Sequence, residues 1–67
     1  MEISARNQLR GRVTGVKLGA VMAEVTVQVG GNEIVAAITR SSVERMGIKE
    51  GDEVSAVVKA TEVMIAK

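Results

Sequence analysis

An all-β fold, a small five-stranded Greek-key barrel with one short helix, is the architecture this 67-residue sequence predicts. Apolar and polar residues alternate with period two in successive runs. Glycine-rich or acidic turns separate those runs, and only one segment carries helix-capping signals. The length allows a single domain, residues 1–67, with no linker, low-complexity tract or internal repeat.

The first run starts at Ile3. Ala5, Asn7, Leu9, Gly11, Val13 and Gly15 share a face with it, while Ser4, Arg6, Gln8, Arg10, Arg12 and Thr14 share the other. Gly11 and Gly15 mark places for a bend or bulge. After Gly19 a second run sets Val21, Ala23, Val25, Val27 and Val29 against Met22, Glu24, Thr26 and Gln28, and Gly30-Gly31-Asn32 closes it as a hairpin turn. A third strand follows from Glu33 to about Thr39. Arg40 to Gly47 reads as one or two helical turns, with Ser41 and Glu44 spaced as a capping box and Gly47 at the left-handed position past the end. The polar turn Lys49-Glu50-Gly51-Asp52 leads into a fourth strand, Glu53 to Lys59, and Val63 to Ala66 is expected to form the fifth. The barrel is of the oligonucleotide-binding type.

Composition narrows the chemistry. Phe, Tyr, Trp, Cys, His and Pro are all absent. Ordering so short a chain costs nearly all that one small aliphatic core returns, and neither a disulfide nor an ordinary zinc site is available as a staple, so an oligomer is expected. A serine or cysteine nucleophile has no imidazole base to work with, which makes a conventional hydrolase a poor reading. With no aromatic platform and a net charge of +1, nucleic acid is demoted as a partner. No run of apolar residues is long enough for a membrane span and no signal segment opens the chain, so the expected location is the cytoplasm. The eight carboxylates are scattered; Glu50 to Glu53 lacks the spacing of a calcium loop, and no bare cation site is expected.

The donors are better grouped. Ser4 and Arg6 share a strand face, Thr39, Ser41 and Ser42 stand where the helix begins, and Lys59 ends an apolar strand before Ala60. Hydroxyls, a guanidinium, an ammonium and free backbone N–H groups are what an oxyanion needs. The same residues also fit a plainer description, exposed strand positions, a helix cap and a solvated lysine. The pattern alone leaves both open.

The segment Ile3-Ser4-Ala5-Arg6-Asn7-Gln8-Leu9-Arg10-Gly11 resembles the opening of the molybdate-binding Mop proteins, the molbindins, and Val57-Val58-Lys59-Ala60-Thr61-Glu62-Val63-Met64-Ile65 is similar to their close. The middle, from Ala37 through Val43 and on to Met46-Gly47-Ile48 and Glu50-Gly51, fits as well, so the resemblance spans the chain. It implies that Ser4 and Arg6 contact the oxyanion from one subunit, and that Thr39, Ser42, Lys59 and Ala60 complete the pocket across a subunit boundary, Ala60 through its N–H. It also implies a homohexamer built as a trimer of dimers, with a second class of oxyanion site for which the loop Lys17-Leu18-Gly19-Ala20 is the candidate. Molybdate or tungstate would be the ligand, no catalytic cofactor is needed, and the expected task is storage and homeostasis rather than catalysis.

Such a site can choose its ion. Molybdate and tungstate are acceptor-only dianions at neutral pH, whereas phosphate keeps a proton that a donor-only wall leaves unpaired. Sulfate must be rejected by size, which requires rigid donors. A competing reading is a small dimeric DNA-binding regulator of the AbrB type, suggested by Gly47-Ile48-Lys49-Glu50-Gly51-Asp52-Glu53-Val54 and by Arg6, Arg10, Arg12 and Lys17. Against it, 39 residues precede the helix and no proline is present.

Overall fold

The computed structural model describes residues 2–67. Four strands form one antiparallel sheet: β1 (Asn7–Leu18), β2 (Met22–Val29), β3 (Asn32–Thr39) and β4 (Glu53–Val58), in the order β3-β2-β1-β4. A seven-residue helix α1 (Arg40–Met46) joins β3 to β4, and a single 3₁₀ turn (Ala60–Glu62) follows β4.

β1 organises the sheet because it serves two partners in turn. Its first half pairs with β4, from Asn7 opposite Val58 to Arg12 opposite Glu53, and its second half pairs with β2, from Arg12 opposite Gln28 to Leu18 opposite Ala23. Where the partners change, the register slips between Val13 and Gly15. The extra residue, Thr14, shifts the two-residue phase. Val13 faces the core before the bulge and Val16, not Gly15, packs against it afterwards. The alternation therefore holds through Val13 and then changes face, near the glycine that suggested a bend. Gly11 is needed just before this switch, since a Cβ there would lie 2.5 Å from the Gln28 carbonyl oxygen and 2.7 Å from Val27 Cγ1.

The core is small and aliphatic. Val13, Ala23, Val25, Val27 and Val43 are buried, and Val16, Val29, Ile38, Ile48 and Val54 pack partly against them. β2 lies between two strands and buries Ala23, Val25 and Val27 on its inner face, with Val29 at its end half-buried. The inner faces of the edge strands do less well. Ile34, Ala36 and Ile38 on β3, with Val54, Ala56 and Val58 on β4, are only half covered. An apolar groove of about 500 Å³ opens between them.

Three local expectations change. The opening run enters the ladder at Asn7, so Ile3 to Arg6 lie ahead of the strand, although Ala5 is buried. Val63 to Ala66 form no strand: the 3₁₀ turn carries them off the end of β4 with extended backbone at Val63 and no edge to pair with. Met64 and Ile65 are 93% and 89% exposed. A period-two pattern makes a segment suited to a strand, but only a partner edge makes it one. Finally, the helix cap is Thr39 rather than Ser41. Thr39 Oγ1 accepts from the Ser42 N–H at 3.1 Å, and Glu44 turns instead to Arg40 at 3.3 Å. The helix ends as expected: Gly47 has φ 63 and donates to the Glu44 carbonyl, and Ile48 donates to that of Val43.

Asp52 closes the turn into β4. Its carboxylate accepts from the Lys49 N–H at 3.0 Å and meets the Lys49 ammonium at 3.1 Å, while its carbonyl accepts from Val13 N–H. The backbone bond from Lys49 first, and the lysine side chain second, hold the Asp52 carboxyl below the ordinary aspartate range. A depressed folded value means that the stabilisation is complete above about pH 4 and is lost as pH falls through that lowered value. Thermal midpoints followed from neutral to acid pH are therefore expected to fall less steeply for Asp52→Asn than for the wild-type chain.

Candidate functional site

The sheet gathers the predicted donors into two groups. Ser4 and Arg6 immediately precede β1, and Lys59 and Ala60 immediately follow β4. Because Asn7 pairs with Val58, both segments emerge at the same end of the sheet. Asn7 Nδ2 donates to the Val58 carbonyl at 3.1 Å and fastens the two together there. Lys59 is exposed and takes no part in an ion pair among the described residues. Ala60 opens the 3₁₀ turn, so its N–H has no acceptor within that turn.

Thr39 and Ser42 form the second group. Thr39 ends β3 opposite Met22, level with the far end of β1, where Leu18 pairs with Ala23. Between the groups runs the whole of β1, 12 residues, roughly 35 Å of strand contour. No hydrogen bond links them among the described residues. Within one chain, then, the segments that carry Ser4, Arg6, Lys59 and Ala60 leave the sheet at one end, Thr39 and Ser42 are bonded to each other at the other, and the two sets stand apart.

The Thr39 end is tightly wired. Thr39 Oγ1 donates to Ser42 Oγ at 2.7 Å and lies 3.3 Å from Ser41 Oγ. Arg45 Nη2 reaches the same Ser42 oxygen at 3.4 Å. Arg40, which heads the helix, joins this end to the β1–β2 turn: its N–H donates to the Val21 carbonyl at 2.8 Å and its Nη1 to the Gly19 carbonyl at 3.3 Å. The loop proposed for a second site is thereby clipped beside α1. Gly19 N–H closes it onto the Met22 carbonyl at 2.7 Å, Ala20 lies at its exposed tip, and Lys17 stands opposite Glu24 within the ladder. The sequence reading singled out neither Arg40 nor Arg45 for this region. Their signal was spacing: Arg40 is four residues before Glu44, and Arg45 three after Ser42.

Among the described residues no three carboxylates cluster as a cation site, and no helix is long and apolar enough to cross a membrane. The donors are hydroxyl, ammonium, guanidinium and amide groups, which suit an anion with several acceptor oxygens.

Residues 3–65 match the TOBE domain. The molybdenum-pterin-binding protein 2 of Clostridium pasteurianum is 58% identical over 66 residues, 97% of each chain. The chain belongs to the Mop family of TOBE domains. Solved Mop structures share its backbone as well as its sequence. MopII from Clostridium pasteurianum, in an apo form, superposes with a TM-score of 0.92 at 55% identity over 98% of this chain and 100% of that one. A molybdate-binding protein from Sporomusa ovata gives 0.96 at 45% identity over the full length of both. The cytoplasmic molybdate-binding protein ModG, solved with molybdate bound, gives 0.84 at 44% identity over 90% of this chain and 43% of its own length.

The alternative DNA-binding reading finds no support. The stretch that suggested it is the clipped turn from α1 into β4, anchored by Gly51 N–H to the Val13 carbonyl, and Arg10 faces Glu53 at 3.5 Å across β1 and β4.

The cap assignment has a measurable consequence. Thr39→Val is expected to lower stability by about 1 kcal/mol, whereas Ser41→Ala changes it by no more than a few tenths, as read from chemical denaturation.

Proposed function

We propose that this Mop domain is a cytoplasmic binding protein for molybdate and tungstate, serving storage and homeostasis of the ion without catalysing a reaction. The observation that carries the reading is the full-length likeness to the molybdate-binding protein of Sporomusa ovata, in backbone and in sequence. The donor chemistry agrees with it. Ser4, Arg6, Thr39, Ser42, Lys59 and the Ala60 N–H offer hydrogens to an ion that carries only acceptors, and a net charge of +1 leaves local hydrogen bonds to do the holding.

Each pocket is assembled between copies of the chain. The separation of the two donor groups along β1 supports this, because one copy's Ser4 end can complete another copy's Thr39 end. The half-covered inner faces of β3 and β4, with an exposed tail beyond Glu62, also favour association. The assembly proposed is a homohexamer, a trimer of dimers. The loop Lys17 to Ala20 is the proposed second oxyanion site, at an axis of that assembly. Donors fixed by subunit contacts are preorganised, so the pocket loses little freedom when an ion enters and holds the spacing that excludes the smaller sulfate.

Lys59, like Arg6, makes no ion pair among the described residues, and it follows β4 directly, beside Ala60. In Lys59→Met the stem is kept and the ammonium is lost, and molybdate affinity measured by calorimetry is expected to fall roughly 10- to 100-fold with the oligomer unchanged by size-exclusion chromatography. Unchanged affinity would remove Lys59 from the site, and a wild-type chain giving no molybdate heat would overturn the function.

A further inference from the structure

We propose that Arg45 is a positioning residue for oxyanion binding, setting Ser42 as a hydrogen-bond donor and so favouring fully deprotonated ions over protonated ones; the inference rests on the molybdate-binding reading above.

A serine hydroxyl has one hydrogen and two lone pairs, and its usefulness to an anion depends on which of these faces the ion. At Ser42 the lone pairs are already committed. Thr39 Oγ1 donates to Ser42 Oγ at 2.7 Å, and Arg45 Nη2 approaches the same oxygen at 3.4 Å. Thr39 Oγ1 in turn accepts from the Ser42 N–H at 3.1 Å, and its 3.3 Å contact with Ser41 Oγ is compatible with Ser41 as the donor. An arginine side chain carries only donors and no acceptor atom. With Thr39 donating to one lone pair, Arg45 therefore occupies the other, and the Ser42 hydrogen is left as the group that can face an ion.

Without Arg45 that second lone pair stands free beside the hydrogen. A free lone pair there repels an oxyanion and accepts from a ligand that still carries an O–H. Hydrogen phosphate is such a ligand and molybdate is not. Arg45 is exposed and Ser42 half-buried, so the guanidinium reaches the hydroxyl from the solvent side and lies outside the six-residue donor set itself. Its effect passes through Ser42.

A double-mutant cycle separates this from a general charge effect. Molybdate affinity is measured by calorimetry for wild type, Arg45→Met, Ser42→Ala and the double variant, with folding checked by circular dichroism. Arg45→Met is expected to weaken molybdate binding roughly 2- to 10-fold in the wild-type background and to have no further effect once Ser42 is alanine. Phosphate should also compete with molybdate at lower concentration in Arg45→Met than in wild type. Equal losses in both backgrounds would show that the charge acts directly on the ion, and no loss in either would show that Ser42 is oriented without Arg45; both overturn the inference while leaving molybdate binding intact. Absence of binding by the wild-type chain would instead remove the functional reading on which it rests.

Discussion

The structure depends on β1 pairing with two different strands along its length. A single bulge at Thr14 makes this possible, because it lets Val13 and Val16 both face the core although they are an odd number of residues apart. Gly11 admits the close approach of β2 on one side of the switch, and the Asp52 carbonyl and Gly51 N–H clip Val13 on the other. From that arrangement follow the sheet order, the position of α1 across one end and the placement of β4's exit beside β1's start. The donor groups take their places at the two ends of the strand that organises the fold.

A second consequence concerns what the sheet leaves uncovered. The chain has no aromatic residue, and its buried core is made of valine and alanine. Such side chains fill the space around β2 but do not span the gap between β3 and β4. On the proposed reading, association with further copies covers that surface and brings the separated donors into register. Stability and binding then share one cause.

Much of this was legible from pattern. The alternation in β2 is regular because both of its neighbours are in the same chain, and the left-handed Gly47 and the Gly30-Gly31 turn announce themselves through residues that tolerate positive φ. The bulge was only half legible: glycines marked the neighbourhood, but the phase of Val16 depends on which strand β1 meets there. The Ser41–Glu44 spacing fitted a capping box, yet Thr39 took the cap and Glu44 took Arg40, a competition among neighbouring hydroxyls that spacing cannot rank. Val63 to Ala66 has a strand's pattern without a strand's partner. The donor residues were legible as types, and the motifs at the two ends tied them to the Mop family, but their division between the ends of β1 is a property of strand order that no local pattern contains.

On the proposed reading, molybdate is held between copies of the chain rather than within one. Native mass spectrometry during a molybdate titration tests it most directly, since subunit number and bound ions are read from the same peaks. A hexamer that takes up ions in defined numbers is expected, with any monomer in the same spectrum free of them. Molybdate bound one-to-one by the monomer would contradict it.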